Sequence, residues 1–171
     1  LKRTWRQEFD RLNYLHAQKE AWAELAGLSR KGLYLEAWIG LREFEADGRR
    51  LRLNGRTVFL RGHQDNCIHP LTGYPPTDKK SWLVFLKKYQ EYGLNHVRFH
   101  SWCPPEAAFD AADELGVMLQ IESPLWDGSG RIGIMPDRAS FIRFEAERIL
   151  DEYGNHPSFC MFSVGGNEAF G

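Results

Sequence analysis

An adjacent amide and acid near the end of the printed sequence have the most specific chemistry in the chain. Asn167 and Glu168 follow the apolar run Ser158–Val164 after two glycines, which let a backbone turn and approach a ligand closely. A carboxyl group at the mouth of an apolar sheet is poorly solvated, and this raises its pKa toward the range of a general acid. We therefore predict that Glu168 exchanges a proton with a substrate and that Asn167 hydrogen-bonds a substrate hydroxyl. The alternatives are a solvated glutamate without a role and an asparagine that caps a turn.

Other polar and aromatic residues follow the remaining apolar runs. These are the positions at which the strands of a parallel sheet carry binding and catalytic groups. The segments that lead back from predicted helices to strands are short and carry little chemistry. This asymmetry predicts a single active site, which Glu168 and Asn167 share with His63, Asp65, Arg98, His100, Trp102, Glu122 and Trp126.

Arg98 is the most unusual member of this set, because it lies between Val97 and Phe99 within an apolar run. A cation in such a place is costly unless an anion pairs with it. We expect Arg98 to point toward a carboxylate, and Glu122 and Glu168 are the two candidates. The sequence leaves open whether this pair acts on a substrate or is only structural.

The histidines and tryptophans of the set each have two interpretations. His63 and His100 can bind a polar ligand, or they can be hydrogen-bonded within the core. Trp102 and Trp126 can stack on the C–H faces of sugar rings, or they can simply pack against neighbouring side chains. We include all four as candidate substrate-binding residues.

A metal site is not expected, although His63, Asp65 and His69 have a suggestive spacing. His96 and His100 share one face of a predicted strand, but they are about 13 Å apart at the rise of a strand, too far for one ion. The sequence contains no HExxH, paired CxxC or phosphate-loop motif. We predict neither a metal nor another cofactor.

Four apolar runs separated by amphipathic segments must position these residues. They predict strands at Thr57–Arg61, His96–His100, Val117–Glu122 and Ser158–Val164, with a long polar loop over Gly62–Thr77 after the first. Between them we predict three helices, whose ends are indicated by Thr77 or Asp78 with Gly93, by Pro104-Pro105 with Gly116, and by Asp137 with Gly154. This alternation is typical of a parallel α/β sheet.

The region before these units has a different pattern. Asn54-Gly55 is the strongest hairpin signal in the chain, and Asp47-Gly48 predicts a second turn. Aromatic and branched residues over Tyr34–Phe44 favour a strand, whereas Asn13–Leu25 fits either a strand or a helix.

Length and composition restrict the class of protein. The chain has 171 residues, 22 basic and 23 acidic, and this near-balance excludes a bulk basic face for nucleic acid or a polybasic membrane anchor. No apolar run approaches the roughly 20 residues of a membrane helix. Three cysteines are too few for a disulfide scaffold. We expect a globular protein with neither a nucleic-acid nor a membrane partner.

Three stretches, Trp38–Gly62, Tyr92–Trp126 and His156–Gly171, resemble the family 2 glycoside hydrolases, which include the β-galactosidases, β-glucuronidases and β-mannosidases. The resemblance extends from about Gln7 onward. It implies the first four βα units of a TIM (β/α)8 barrel over residues 47–171. Residues 1–46 would be the terminal strands of an immunoglobulin-like β-sandwich.

The resemblance also implies roles for individual residues. Glu168 would be the general acid/base, Asn167 the contact to the sugar 2-hydroxyl, and Arg98 the arginine that organises the catalytic carboxylates. Glu122 matches an acidic position at the end of the third strand. Two stretches depart from the usual pattern: Gly165-Gly166 stands where one glycine is common, and Phe99–Trp102 where a serine–histidine–aromatic order is common.

The implied reaction is hydrolysis of β-linked glycosides by a retaining double displacement, with a nucleophilic glutamate that this chain lacks. The chain alone is then expected to be inactive, and two half barrels could associate with each other. A periplasmic or secreted bacterial location is implied by the resemblance alone. Two other classes stay open: a non-catalytic carbohydrate-binding module and, less favoured, a metal-dependent TIM-barrel hydrolase.

Overall fold

The computed structural model describes residues 40–125 and 136–164 of the chain. The predictions for Asn13–Leu25 and for most of Tyr34–Phe44 lie outside the described residues. So do those for Trp126, Asn167 and Glu168. The predicted boundary between residues 46 and 47 falls within the first described strand, and the division into two domains stays a prediction.

A three-stranded antiparallel sheet comes first. It consists of β1 (Phe44–Asp47), β2 (Arg50–Leu53) and β3 (Arg56–Val58), in the order β1-β2-β3. The hairpin between β2 and β3 is confirmed, because Asn54 and Gly55 both have positive φ angles, 51° and 75°, as its tight turn requires. The Asn54 side chain also binds the residue before β1, because its Oδ1 accepts a hydrogen bond from the Glu43 amide at 2.8 Å.

A four-stranded parallel sheet follows, with helices between its strands. Its elements are β4 (Gly62–Asp65), α1 (Lys79–Glu91), β5 (His96–Phe99), α2 (Glu106–Leu115), β6 (Met118–Glu122), α3 (Pro136–Tyr153) and β7 (Phe159–Ser163). The strand order is β4-β5-β6-β7, and every neighbouring pair is parallel. The predicted α/β class with a parallel sheet is therefore confirmed.

The predicted position of the first parallel strand, Thr57–Arg61, is wrong. Thr57 pairs with Arg52 in the antiparallel hairpin instead. The next residues form no ladder, because the Asn95 side chain takes the place of a neighbouring strand. Its Nδ2 donates to the Phe59 carbonyl at 3.0 Å, and its Oδ1 accepts from the Arg61 amide at 2.8 Å.

The first parallel strand is instead β4, at the start of the stretch that was predicted to be a polar loop. Gly62 pairs with His96 at the start of this strand. A Cβ atom on Gly62 would lie 2.5 Å from the His96 Nδ1, so only glycine fits here without a shift of the ring. Hydrophobicity does not mark this strand because three of its four residues are exposed.

The helices cover one face of the parallel sheet and form the core there. Alternate residues of the strands point to this face and pack on Trp82 and Leu86 of α1 and on the apolar side of α2. The buried strand residues in this core are Val97, Phe99, Leu119, Ile121 and Phe159. No helix in the described ranges is long and apolar enough to cross a membrane.

The predicted helix ends agree closely with the structure. Asp78, rather than Thr77, caps α1, and its carboxylate accepts hydrogen bonds from the Ser81 amide and hydroxyl at 2.9 and 2.8 Å. These bonds lower the pKa of Asp78. Gly93 and Gly116 end the first two helices with φ angles of 75° and 69°.

The segment that precedes β1 is fastened to the edge of the parallel sheet opposite the carboxyl ends of its strands. Arg42 Nη1 donates to the carbonyls of Gly154 and His156 at 3.1 and 3.0 Å, in the loop between α3 and β7. Asp113 of α2 holds the same loop: it lies 2.6 Å from the His156 Nδ1 and accepts from the Ser158 amide at 2.8 Å.

Candidate functional site

The carboxyl ends of the parallel strands lie at one edge of the sheet, and the face away from the helices is polar there. The register places Gln64 of β4 beside Arg98 of β5, Arg98 beside Gln120 of β6, and Glu122 beside Ser163 of β7. Since strand residues alternate between faces, these side chains share the face opposite the apolar core. We call this set, Gln64, Arg98, Gln120, Glu122 and Ser163, the polar face.

Arg98 and Glu122 form an ion pair at the centre of the polar face. Arg98 Nε donates to Glu122 Oε1, and the Arg98 side chain is 28% exposed whereas Glu122 is fully buried. The pairing predicted for Arg98 is therefore confirmed for Glu122. A buried carboxylate needs partners on both oxygens, and the second is supplied by the Ser101 amide, which donates to Oε2 at 2.9 Å.

The Ser101 backbone is strained in a way that serves this contact. Its φ angle is 61°, in the left-handed region that non-glycine residues adopt at a cost of about 1 kcal/mol or more. The turn aims the Ser101 amide at Glu122 and carries the chain on to Trp102. Trp102 Nε1 then donates to the Asp65 carbonyl at 3.1 Å, which ties the loop after β5 to β4.

Trp102 is held by aromatic packing at this edge. Its ring meets that of Phe99 edge-on at a centroid distance of 5.1 Å and lies 6.5 Å from that of Trp82. The packing interpretation therefore describes its contacts, and stacking on a sugar stays a prediction. His100, half-buried, follows β5, and its amide donates to the Asp65 carbonyl at 2.8 Å.

The side chain of His63 is not brought together with Arg98. It points to the helix side, where its ring lies 4.6 Å from that of Tyr89. Asp65 Oδ1 accepts a hydrogen bond from the Cys67 amide at 2.8 Å and so shapes the loop after β4. Burial, together with the Asp65 carboxylate, raises the pKa of Tyr89 to about 12.

A cavity of about 260 Å³ opens between β4, the loop after it and α1. Its lining is formed by His63, Gln64, Asp65, Asn66, Ile68 and His69, with the aromatic rings of α1. The cavity lies mainly on the helix side of the sheet, and Gln64 of the polar face borders it. The site residues predicted from sequence therefore divide between two places: His63 and Asp65 line this cavity, whereas Arg98 and Glu122 belong to the polar face.

Sequence reasoning missed Gln64, Gln120, Ser163 and Ser101 as parts of this arrangement. Gln64 Oε1 accepts from Arg98 Nη1 at 3.3 Å, and Gln120 Nε2 donates to Ser163 Oγ at 2.8 Å. Gln64 lies beside Arg98 once β4 is taken as the first parallel strand. The sequence could have identified Gln64 in this way only if that strand had been predicted at the correct position. Nothing in the sequence marks the positive φ angle of Ser101.

Neither metal nor thiolate chemistry has a visible centre in the described ranges. Among residues 40–125 and 136–164, no three His, Cys, Asp or Glu side chains come together as an ion would require. The three cysteines are free thiols. Burial raises the pKa of Cys103 to about 12 and that of Cys160 to about 11, so both thiols are protonated at neutral pH.

Comparison with known proteins gives a consistent set of relatives. No protein-family model matches the chain. The chain is 22% identical to a β-galactosidase of Lactococcus lactis over 137 residues, which covers 78% of this chain and 14% of the relative. It is 23% identical to a β-galactosidase of Vibrio vulnificus over 183 residues, covering 98% of this chain and 18% of the relative.

Solved structures share the fold. A β-glucuronidase of Ruminococcus gnavus in complex with D-glucuronic acid matches with a TM-score of 0.63 and 24% identity, over 74% of this chain and 21% of that one. The chain thus spans less than a quarter of the length of these relatives. This chain is thus similar in sequence to a segment of the β-galactosidases and in fold to a segment of a β-glucuronidase.

Proposed function

We propose that this chain supplies the acid/base part of the active site of a retaining β-glycosidase. Glu168 is the general acid/base, Asn167 contacts the sugar 2-hydroxyl, and Arg98 orders the carboxylates around the reacting bond. The observation that carries this proposal is the Arg98–Glu122 pair, buried at the functional edge of a parallel sheet and completed by the Ser101 amide.

The position of this pair supports the proposal. A buried ion pair is costly to desolvate, so its presence at the carboxyl ends of the strands favours a role there over a role in stability. Glu122 pairs in register with Ser163, the last residue of β7. Asn167 and Glu168 come four and five residues after Ser163 in the sequence.

The proposed reaction needs two carboxyl groups about 5–5.5 Å apart. Glu168 protonates the glycosidic oxygen as the bond to the anomeric carbon breaks, and a second carboxylate attacks that carbon. Glu168 then removes a proton from the water that hydrolyses the glycosyl intermediate. Glu122 is unsuited to be the nucleophile, because it is fully buried and both its oxygens accept hydrogen bonds. As the resemblance implies, we propose that the nucleophile is a glutamate that lies outside this chain.

The same proposal accounts for the architecture. The four parallel strands and their helices are the first half of a (β/α)8 barrel, and the polar face is the interior of that barrel. The strands before it lead out of an immunoglobulin-like sandwich over residues 1–46. The substrate is a β-linked carbohydrate, because the relatives are β-galactosidases and a solved neighbour is a β-glucuronidase in complex with D-glucuronic acid.

A second copy of the chain is a further proposed partner. In the described sheet, β4 and β7 each have one neighbour, and strands with open edges tend to pair. Two polar faces would then meet around a shared interior. Sedimentation at micromolar concentration should show a dimer, and a clean monomer would contradict this part of the proposal.

An iminosugar provides the test of the proposed chemistry. Isofagomine carries a basic nitrogen where a sugar has its anomeric carbon. This nitrogen takes up the acid proton of Glu168, and the resulting ammonium–carboxylate pair cannot form with a neutral amide at position 168. We expect E168Q to weaken isofagomine binding about tenfold, a typical effect of losing one charge pair, and to leave methyl β-glycoside binding nearly unchanged. Isothermal titration calorimetry measures the affinity for each ligand.

Two results would contradict the proposal. Equal binding of isofagomine by the wild type and E168Q, with retained glycoside binding, would favour a carbohydrate-binding module. Turnover of an aryl β-glycoside by the chain, abolished by E168Q, would show that the second carboxyl group lies within this sequence. E147Q is the matched control because Glu147 lies on the exposed side of α3, in a surface ion pair with Arg143.

A further inference from the structure

We infer that Cys160 is a positioning residue for the proposed acid/base, Glu168. It is one residue more than the pairing of β6 with β7 accommodates, so it bends β7 and sets the direction in which the chain continues to Glu168. This inference rests on the proposed function, because it concerns the placement of the acid/base. The extra backbone unit has this role, and the thiol takes no part in it.

The ladder between β6 and β7 leaves out one residue. Leu119 of β6 pairs with Phe159. The next residue of β6, Gln120, pairs with Met161, and Cys160 is passed over. The five residues of β7 therefore lie opposite four residues of β6. An extra residue of this kind is a β-bulge, which bends its strand and increases the local twist.

The burial of β7 shows the same irregularity. Phe159 belongs to the core and is 3% exposed, and Phe162 packs against that core. These two residues are three positions apart, whereas a regular strand places residues at an odd separation on opposite faces. The bulge therefore lets both aromatic rings contact the core and still brings Ser163 beside Glu122.

The start of β7 is held from two sides. The Asp113 carboxylate of α2 accepts from the Ser158 amide at 2.8 Å. Arg42 bonds the loop before the strand, and its guanidinium carbon lies 5.8 Å from the centroid of the Phe159 ring. The Leu119 amide donates to the Ser158 carbonyl at 2.7 Å, directly before the bulge. These contacts fix the position at which β7 begins.

The end of β7 is held as well. The Ser123 amide donates to the Ser163 carbonyl at 3.0 Å, and Gln120 Nε2 donates to Ser163 Oγ at 2.8 Å. With both ends fixed, the strand cannot slip to absorb the extra residue, so the bend remains. Glu168 comes five residues after Ser163, and a misplacement of a reacting group by about 1 Å can cost about a hundredfold in rate.

Deletion of Cys160 separates this positioning role from the stability of the fold. Phe159 and Met161 then become neighbours, and the four remaining residues of β7 match the four of β6 in a regular ladder. The pairing and the core are kept, whereas the bend is lost. The variant should therefore fold and still place Glu168 wrongly.

The test measures isofagomine binding by titration calorimetry with Glu168 and with E168Q. In the wild type E168Q should weaken binding about tenfold, as proposed above. In the chain without Cys160 we expect E168Q to change binding less than about twofold, because the carboxyl group no longer meets the basic nitrogen of the ligand. C160A is the matched control. It removes only the thiol and its weak bond to the Pro157 carbonyl at 3.8 Å, so the effect of E168Q should persist.

Nuclear Overhauser contacts between the paired residues Gln120 and Met161, and between Glu122 and Ser163, verify that the deletion keeps the ladder. If the ladder is kept and E168Q still weakens binding about tenfold, the inference is wrong and the proposed function stands. If E168Q has no effect in the wild type, the proposed function fails and the inference with it.

A second variant decides the question if the deletion variant does not fold. R42A removes the contacts of Arg42 with the loop before β7, so that the loop can take up the extra residue and the strand can straighten. The effect of E168Q should then fall below about threefold. R52A is the control, because Arg52 is a half-buried arginine of the antiparallel sheet that pairs with Asp47. An undiminished effect of E168Q in R42A would overturn the inference.

Discussion

The two faces of the parallel sheet are formed by alternate residues of the same strands, and one face is apolar whereas the other carries an ion pair. On the helix side, Phe99 and Ile121 are fully buried among apolar side chains. On the polar face, the alternating residues Arg98 and Glu122 form an ion pair that desolvation makes costly. The difference shows that the strands are stabilised by one face and can therefore hold a strained, charged arrangement on the other.

The largest loss of stability is expected from a substitution on the helix side of the parallel sheet. Phe99→Ala removes a fully buried ring that contacts Trp82 and Trp102, and we expect it to lower the free energy of unfolding by about 3–5 kcal/mol. Urea denaturation measures this change. Phe59→Ala is the control, since that ring is 76% exposed, and its effect should stay within about 0.5 kcal/mol. Equal effects of the two variants would mean that Phe99 is not a core residue.

The second largest loss of stability is expected from a substitution on the polar face. Glu122→Gln removes the charge that compensates Arg98 but keeps the shape of the side chain. Breaking a fully buried pair costs about 3–5 kcal/mol, and the partial exposure of Arg98 reduces our expectation to about 2 kcal/mol. Glu45→Gln, at an exposed position of β1, should be neutral. A stabilised E122Q variant would show that desolvation outweighs the attraction within this pair.

A smaller effect is expected away from both faces. Asn54→Ala places alanine at a φ angle of 51° and removes the bond from the Glu43 amide, at a cost of about 1 kcal/mol. The hairpin lies outside the parallel sheet, so glycoside binding should not change. A loss of binding in N54A, measured by calorimetry, would mean that the antiparallel sheet contributes to the site.

The smallest effect is expected in the pH dependence of the free energy of unfolding. Burial, together with the Arg98 guanidinium, lowers the pKa of His96 below its usual 6.5. Below pH 6.5 the unfolded chain therefore binds a proton that the folded chain does not, and the free energy of unfolding falls as the pH drops toward the folded pKa. Between pH 7 and 5 the wild type should lose more stability than H96Q. Parallel curves for the two proteins would exclude this contribution.

Much of the fold could be predicted from the sequence, because its signals are local. Asp78, Gly93 and Gly116 mark helix ends through their own hydrogen-bonding and backbone preferences, and Asn54-Gly55 marks the hairpin in the same way. The predicted pairing of Arg98 with a carboxylate was also confirmed, since a cation between apolar residues requires an anionic partner.

The first parallel strand could not be predicted because its cause is not local. β4 is polar and exposed, and it forms because Gly62 fits beside the His96 ring and because Asn95 holds the segment before it. The same error concealed Gln64, whose face depends on the register of that strand. The roles of Asn167 and Glu168 remain predictions from sequence and resemblance.

The most direct test of the account is to locate a bound glycoside on one face or the other. The Arg98 Nε–H signal reports on the polar face, and the Trp82 indole N–H, which donates to the Pro76 carbonyl at 2.8 Å, reports on the helix side. In a ¹⁵N titration with methyl β-D-galactoside or methyl β-D-glucuronide, we predict a saturable shift of the Arg98 signal and no shift of the Trp82 signal. A shift at Trp82 without one at Arg98 would place the sugar in the helix-side cavity and contradict the account.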